Sequence, residues 1–169
     1  MEEAVRRAAR GDVEAFETIV QPELPHLRRL ATAVVLDRDV ADDVVQDSLV
    51  AAWRGIDRLR EPALFKTWLR RIVINRARNA LRRPRTLRLV DAVRAVDPQT
   101  GSDPSGEWTD AMALETAMRE LNLDLRVCAA LYYLEQRPVA DIANLLGIPQ
   151  GTVKSRLHTA RARLREALR

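Results

Sequence analysis

The stretch IANLLGIPQGTVKSRLHTARARLREAL, residues 142–168, decides the fold of the C-terminal part of the chain. A short apolar segment runs up to Gly147, and an arginine-rich segment with helical periodicity follows the turn at 147–151. The spacing matches a helix-turn-helix: Ala143 is small where two helices approach, Gly147 suits a left-handed helix end, and Val153 follows as an apolar plug between the helices. This pattern predicts a second helix that is presented to DNA.

The helix behind the turn has a polar face that suits DNA. We predict that it runs from Thr152 to Leu168 and that Gly151 or Thr152 caps it. At ~100° per residue, an apolar stripe faces its own domain and consists of Val153, Leu157, Ala160 and Leu164. The candidate DNA contacts are Thr152, Lys154, Ser155, Arg156, His158 and Thr159. Short donors and acceptors suit base edges, and flanking cations suit phosphates. A basic helix alone would favour a solvated face of a plain bundle, so the turn spacing is what favours a recognition helix.

A second basic helix is predicted from LFKTWLRRIVINRARNALRR, residues 64–83. One side is apolar, and a narrow stripe beside it carries Arg71, Asn75, Arg78 and Arg82. An arginine ladder that contains an amide side chain, next to exposed aromatic surface, suits a nucleic-acid backbone and an unstacked base. The alternative is a solvated arginine face over a core of Phe65 and Trp68, and this segment by itself leaves the two interpretations equal.

The segment VADDVVQDSLVAAW, residues 40–53, predicts an amphipathic helix with an acidic outer face. Its inner side consists of Val44, Val45, Ser48, Ala51 and Ala52. Its outer side consists of Asp42, Asp43, Gln46, Asp47 and Val50. Such a face is poor for DNA and suits a basic protein partner. Composition alone favours the alternative of a solvated face.

The charge distribution says more than the net charge. The chain has 28 Lys+Arg against 24 Asp+Glu, which gives a net charge of +4 and a pI near 9.9. No acidic residue lies between Glu61 and Asp91, and residues 154–169 are basic apart from Glu166. Two basic patches predict two contacts with nucleic acid.

Several classes of protein do not fit this composition. Cys128 is the single cysteine, so no internal disulfide forms, and its apolar surroundings indicate a small buried hydrophobe. The only histidines, His26 and His158, belong to no Cys/His cluster, and we expect no metal site and no cofactor. No stretch approaches the roughly 18 apolar residues of a membrane span, and the start does not resemble a signal peptide. We therefore expect a cytoplasmic protein with no membrane contact of its own.

Helical periodicity predicts an all-α fold of two small helical domains joined by a flexible linker. The domains are residues 1–83 and 110–169, and the linker, 84–109, is interrupted by proline and glycine. The predicted helices are Glu2–Ala9, Asp12–Leu36 with an interruption around Pro22 and Pro25, Val40–Trp53, Pro62–Arg83, Asp110–Leu121, Leu125–Gln136, Val139–Leu146 and Thr152–Leu168.

Three motifs in this order resemble one family. They are DVADDVVQDSLVAAW (39–53), FKTWLRRIVINRARNALRR (65–83) and LEQRPVADIANLLGIPQGTVKSRLHTARARLREAL (134–168). Together they resemble a bacterial RNA polymerase sigma factor of the extracytoplasmic-function type over nearly the whole chain. The last motif alone is shared with other helix-turn-helix regulators, whereas the combination is highly specific.

The resemblance implies a factor that is not an enzyme but binds core RNA polymerase and directs promoter-specific initiation. The first domain matches sigma region 2, whose acidic helix docks on the β′ clamp helices through Asp42, Asp43, Gln46 and Asp47. The loop 57–64 and the basic helix open and recognise the −10 element, and its contacts are Arg71, Asn75, Arg78 and Arg82. Asn75 matches the position that handles a flipped base.

The resemblance also assigns the rest of the chain. The last domain matches region 4, which recognises the −35 element with GTVKSRLHTARAR (151–163) and docks on the β flap. The linker threads toward the active centre of the polymerase. A cytoplasmic anti-sigma factor is implied as a further partner.

Two other functions explain less of the sequence. A dimeric operator-binding regulator accounts for the helix-turn-helix but not for the acidic helix followed by the arginine ladder. A nuclease needs a carboxylate cluster for metal beside its basic groove, and residues 62–90 contain no carboxylate. Binding to core polymerase without DNA separates a sigma factor from a regulator.

Overall fold

The computed structural model describes residues 1–82 and 116–168, and all of its regular elements there are helical, as predicted. The N-terminal region, residues 1–82, contains five α-helices. They are α1 (Glu2–Ala9), α2 (Val13–Val20), α3 (Leu24–Val35), α4 (Arg38–Gly55) and α5 (Phe65–Arg82). Single 3₁₀ turns at Ile56–Arg58 and Pro62–Leu64 lie between α4 and α5.

Aspartate side chains determine where two of these helices begin. The Ala15 amide donates to Asp12 Oδ1 at 3.0 Å, and the Val40 amide donates to Asp37 Oδ1 at 3.1 Å. Each carboxylate satisfies a backbone donor that has no partner inside the helix. α4 therefore begins at residue 38, two residues before the predicted start.

The two prolines near the start of α3 have different effects. Pro22 lies in a 3₁₀ turn, Gln21–Glu23, that separates α2 from α3 as predicted. Pro25 does not interrupt the chain, because it sits in the first turn of α3, where its missing amide costs no intrahelical hydrogen bond. α3 ends at Val35, and the C-cap residue that follows, Leu36, is left-handed with φ 57°.

The C-terminal region, residues 116–168, contains four α-helical stretches. Residues 116–119 are helical, and α6 (Leu123–Ala129), α7 (Val139–Leu146) and α8 (Gln150–Ala167) follow. The predicted helix 125–136 begins two residues earlier, at Leu123, and is helical as far as Leu134, with its second half, Ala130–Leu134, π-helical. Most of the predicted helix 110–121, the linker 84–109 and both predicted domain boundaries lie outside the described residues.

The two regions pack against each other through apolar and polar contacts. Ala33 and Leu36 of α3 contact a cluster that includes Leu121, Leu125 and Ala160. Two arginines of the C-terminal region bind the end of α3: Arg126 Nη1 donates to the Val34 carbonyl at 2.9 Å, and Arg119 Nη2 donates to the Leu36 carbonyl at 3.0 Å.

Those carbonyls lie at a helix C-terminus, where acceptors lack intrahelical partners and cations are favourable. Burial, followed by the neighbouring Arg119, lowers the pKa of Arg126 below its ordinary value. Across residues 1–82 and 116–168, no helix is long and apolar enough to cross a membrane.

Candidate nucleic-acid and protein interfaces

The turn between α7 and α8 has helix-turn-helix geometry. Gly147 ends α7 with φ 67°, in the left-handed region that glycine tolerates best. Val153 is fully buried between the helices, and Ile142 is buried beside it. The predicted cap is wrong: α8 begins at Gln150, and Pro149 occupies the N-cap position in an extended conformation (φ −60°, ψ 147°) without a side-chain capping bond.

The two sides of α8 differ as its periodicity predicts. Val153, Leu157 and Ala160 are buried, and Leu164 is partly buried. On the other side, Lys154, Ser155 and His158 are exposed, while Thr152 and Thr159 are partly exposed. The Thr159 hydroxyl donates to the Ser155 carbonyl at 3.1 Å and keeps its lone pairs free to accept a hydrogen bond.

One predicted member of this face is bound within the chain. Arg156 Nη2 donates to Asp124 Oδ2 in α6 at 2.7 Å. The other oxygen of that carboxylate accepts from Arg78 Nη2 of α5 at 3.1 Å. Asp124 thus joins one arginine from each of the two basic helices, a pairing that sequence spacing does not reveal.

The predicted arginine stripe of α5 faces the C-terminal region over part of its length. Arg71 donates twice to the last turn of α7, from Nε to the Leu145 carbonyl at 3.0 Å and from Nη2 to the Asn144 carbonyl at 2.7 Å. Asn75 is exposed and lies with these residues around a cavity of about 250 Å³. The cavity is lined by Arg71, Ile74, Asn75, Arg78, Leu145, Leu146 and Gly147. Arg82 is exposed near the end of α5.

The aromatic side chains beside this stripe belong to the core, as in the alternative that the sequence left open. Phe65 is fully buried, and Trp68 is partly buried with its ring centroid 6.2 Å from that of Phe65. Both pack on the apolar core because α5 crosses α3 and α4 there. A base stacking on Phe65 is therefore excluded in this arrangement.

The acidic face of α4 is oriented as predicted. Asp42, Asp43, Gln46, Asp47 and Val50 are exposed, whereas Val44, Val45, Ser48 and Ala52 are buried. Asp42 forms an exposed ion pair with Arg28 at 3.3 Å. Such a pair is worth little in water and leaves the face available to a partner.

A basic groove at the C-terminal end of α4 was missed by the sequence analysis. A cavity of about 450 Å³ lies between this end of α4 and α5. It is lined by Asp47, Val50, Ala51, Arg54, Gly55, Arg58 and Arg76. Within the described part of the chain, its three arginines form no hydrogen bond or ion pair. Arg54 and Arg58 lie outside both predicted basic patches, so only tertiary packing brings them next to Arg76.

A buried charge cluster links the two regions near the N-terminal end of α5. Arg70, with its side chain 6% exposed, donates from Nε to Glu135 Oε2 at 2.7 Å and from Nη1 to Glu23 Oε2 at 2.9 Å. Lys66 Nζ lies 2.7 Å from the other oxygen of Glu23. Burial opposes ionisation of Glu23, but Lys66 and Arg70 outweigh it and lower the pKa of Glu23 below its ordinary value.

The single cysteine lies in the core of the C-terminal region. Cys128 is fully buried, as expected for a small hydrophobe. Burial raises the pKa of its thiol above the ordinary value, so the reactive thiolate is disfavoured.

Family models and related chains match both regions. Residues 19–87 match Sigma-70 region 2, and residues 111–164 match Sigma-70 region 4. The ECF RNA polymerase sigma factor SigM of Mycobacterium tuberculosis is 33% identical over 158 residues, which cover 94% of this chain and 79% of SigM. The ECF RNA polymerase sigma-E factor of Escherichia coli is 32% identical over 170 residues, covering 93% of this chain and 88% of the relative.

Two solved structures share the arrangement of helices. CnrH, in complex with the cytosolic domain of CnrY, has a TM-score of 0.73 and 28% identity over 99% of this chain and 96% of CnrH. RpoE from Bartonella quintana, in complex with the anti-sigma factor NepR, has a TM-score of 0.73 and 29% identity over 90% of this chain and 96% of RpoE. With both sigma regions matched and the similarity extending along nearly the whole chain, this protein belongs to the extracytoplasmic-function sigma factors, which bind core RNA polymerase and direct initiation at specific promoters.

Proposed function

We propose that the exposed surfaces of this sigma factor divide promoter recognition between its two regions. α8 contacts the −35 element through Thr152, Lys154, Ser155, Arg156, His158 and Thr159. The loop 57–64 and α5 contact the −10 element through Arg71, Asn75, Arg78 and Arg82. The observation that carries this proposal is α8 itself, which follows a left-handed glycine turn and exposes Lys154, Ser155 and His158.

The acidic face of α4 is the proposed contact with the β′ clamp helices. Asp42, Asp43, Gln46 and Asp47 are exposed on consecutive turns of one helix, so they offer negative charge and hydrogen-bond acceptors over a continuous surface. The C-terminal region docks on the β flap. The factor contributes binding and specificity, and the chemistry of RNA synthesis stays in the polymerase.

An anti-sigma factor in the cytoplasm is the proposed regulator. RpoE of Bartonella quintana was solved with an anti-sigma factor, and its helices superimpose on 90% of this chain.

Transcription with purified core polymerase tests the proposal. The chain added to core enzyme and genomic DNA fragments is expected to produce discrete start sites, which core enzyme alone does not produce. Changing Asp43→Arg together with Gln46→Ala should weaken core binding at least about tenfold, or roughly 1.4 kcal/mol, without changing helicity.

A matched control isolates the surface from the general effect of charge reversal. Glu17→Arg with Thr18→Ala makes the same kind of change on the exposed side of α2. It should leave core binding unchanged. Equal binding of core polymerase by the α4 variant and the α2 control would show that α4 does not contact the clamp helices.

A further inference from the structure

The cavity beside α5 and α7 has the size of a site for a small molecule. Its volume is about 250 Å³, and its wall is formed by Ile74, Asn75 and Arg78 of α5 together with Leu145 and Leu146 of α7. Sites for drug-sized ligands have volumes of roughly 300–1,000 Å³. This cavity therefore suits an organic molecule somewhat smaller than those ligands.

Two polar side chains in the wall have hydrogen-bonding groups that the described residues leave unused. Arg78 donates from Nη2 to Asp124 at 3.1 Å, but its Nε is buried and has no acceptor within residues 1–82 and 116–168. The side-chain amide of Asn75 also forms no hydrogen bond within those residues. Buried donors in native proteins are rarely left without an acceptor, because the lost hydration is not replaced. Both groups are therefore available to a ligand in the cavity.

The charges around the cavity favour a negatively charged ligand. Arg71 donates to two backbone carbonyls of α7 and, among the described residues, pairs with no carboxylate. Arg78 shares the single carboxylate of Asp124 with Arg156. One carboxylate thus serves three guanidinium groups, and a cleft with an excess of one charge attracts ions of the opposite sign.

The rest of the wall is apolar. Ile74 is 1% exposed and Leu145 is 2% exposed, and Leu146 beside them is partly buried. An apolar lining with a few polar groups is the usual composition of a small-molecule site. A bare inorganic anion would leave this apolar surface without a partner, so the wall fits a ligand that has both an acidic group and an apolar body.

We propose that this cavity binds a small organic acid. Its carboxylate accepts hydrogen bonds from Arg78 Nε and from the Asn75 amide, and its apolar body packs against Ile74 and the two leucines of α7. The consequence for promoter binding rests on the proposed function, because Asn75 and Arg78 are also the proposed −10 contacts. A bound acid occupies both side chains and competes with the single strand for them.

Benzoate is a suitable probe, because it joins one carboxylate to a flat apolar ring. The full chain is labelled with nitrogen-15, and the NMR signal of the Arg78 Nε–H group is identified by its loss in Arg78→Lys. Benzoate should shift this signal saturably with a dissociation constant on the order of 1 mM, as expected for a ligand with few atoms. At equal ionic strength, benzamide, acetate and inorganic phosphate should each bind at least about tenfold more weakly, since each lacks the charge or the apolar body.

Two substitutions with matched controls assign the binding to the cavity. Asn75→Ala removes one donor and should weaken benzoate binding roughly three- to tenfold, whereas Asn79→Ala changes an exposed amide of the same helix that does not line the cavity. Arg78→Lys keeps a positive charge near Asp124 but lacks Nε, and it should weaken binding at least about tenfold. Arg82→Lys, at an exposed position outside the cavity, should bind like the parent. For the Arg78 variant, binding is followed by the line width of the benzoate signals, and circular dichroism checks that helicity is kept.

Three results would overturn the ligand site. The first is the absence of a saturable shift with benzoate. The second is equal affinity for benzoate, acetate and phosphate, which would show that the arginines attract any anion. The third is equal affinity in Asn75→Ala and Asn79→Ala, which would place the probe elsewhere. Random single strands about 12 nucleotides long should displace benzoate, and simultaneous binding of both would contradict the competition.

Transcription distinguishes failure of this inference from failure of the proposed function. If the chain directs initiation with core polymerase but benzoate does not bind, the ligand site is wrong and the sigma assignment stands. If benzoate binds through Asn75 and Arg78 but the chain neither binds core enzyme nor directs initiation, the ligand site stands and the proposed function fails.

Discussion

The basic helices α5 and α8 are equally long, 18 residues each, yet they present their polar faces differently. Lys154, Ser155 and His158 of α8 are exposed, whereas Arg71 and Arg78 of α5 are hydrogen-bonded to the C-terminal region. Helical periodicity identifies the side of each helix that is buried in its own domain. It contains no information about another region of the chain that packs on the opposite side.

The partners of these arginines explain why the contacts form. The carbonyls of Asn144 and Leu145 lie in the last turn of α7, and those of Val34 and Leu36 lie at the end of α3. Helix ends carry unsatisfied acceptors and partial negative charge. Each region thus supplies arginines that cap a helix of the other region. A sequence pattern would assign some of these same arginines to DNA binding.

The largest effect on stability is expected from a charge placed on the buried side of α8. Val153→Asp places a charge at a fully buried position between α7 and α8 and should cost about 4 kcal/mol or more. Far-ultraviolet circular dichroism should show loss of region 4 helices while region 2 remains folded. Lys154→Asp, one residue along on the exposed side, is the control. Wild-type helicity and melting temperature in Val153→Asp would show that α8 does not pack as described.

The next effect separates base from phosphate contacts on the open face of α8. Ser155→Ala and Thr159→Ala should change the preferred −35 bases, at roughly 1–3 kcal/mol for a lost base contact. Lys154→Ala should weaken all sequences about equally and reduce the salt slope by roughly one ion. The measurement is selection from a randomised −35 library at two salt concentrations. An altered base preference with Lys154→Ala alone would mean that α8 is rotated relative to our assignment.

A smaller effect is expected at the partly covered face of α5. Asn75→Ala should slow open-complex formation on duplex promoters about tenfold, corresponding to a lost hydrogen bond of about 1–1.5 kcal/mol, and pre-melted templates should rescue it. Asn79→Ala, on the same helix outside the predicted stripe, provides the matched control. An equal loss on duplex and melted templates would indicate a purely structural role for Asn75.

The groove between α4 and α5 contrasts with the face of α5 that region 4 covers, because its arginines form no hydrogen bond or ion pair with residues 116–168. Arg76→Ala should weaken binding of single-stranded DNA modestly for all sequences and lower the salt slope by about one ion. Arg38→Ala is the control, because it removes an exposed arginine that neither lines the groove nor belongs to the proposed DNA contacts. Equal losses with both variants would mean that DNA binding responds to the general positive charge of the protein and not to the groove.

The smallest effect concerns the pH dependence of stability at the buried cluster. Lys66 and Arg70 lower the folded-state pKa of Glu23, so its contribution is complete above the unfolded-state pKa and is lost as pH falls through the folded value. Thermal melts from about pH 7 down to about pH 3 should show a shallower acid dependence for Glu23→Gln than for the parent. Parallel curves would show that Glu23 does not titrate with folding.

The sequence predicted the local features of both candidate sites well. It identified the apolar stripe of α8, the glycine that ends α7 and the exposed acids of α4, because period and turn chemistry are local properties. It left open whether Phe65 is exposed or buried, because its burial depends on α3 and α4. It was wrong at the cap of α8, where Pro149 rather than Gly151 or Thr152 occupies the position. It also missed Arg54 and Arg58, which tertiary packing brings beside Arg76.

By itself, then, the amino-acid sequence determined an all-α chain with two basic helices, an acidic helix and a sigma-type order of motifs, since each depends on residues a few positions apart. Only the tertiary structure decided which of those charges meet. Arg70 and Glu135 are 65 residues apart, and Arg71 and Leu145 are 74 apart, so no spacing rule relates them. A guanidinium binds phosphate, carboxylate or a helix-end carbonyl with the same donors, and only the packing of the two regions determines which acceptor lies within reach.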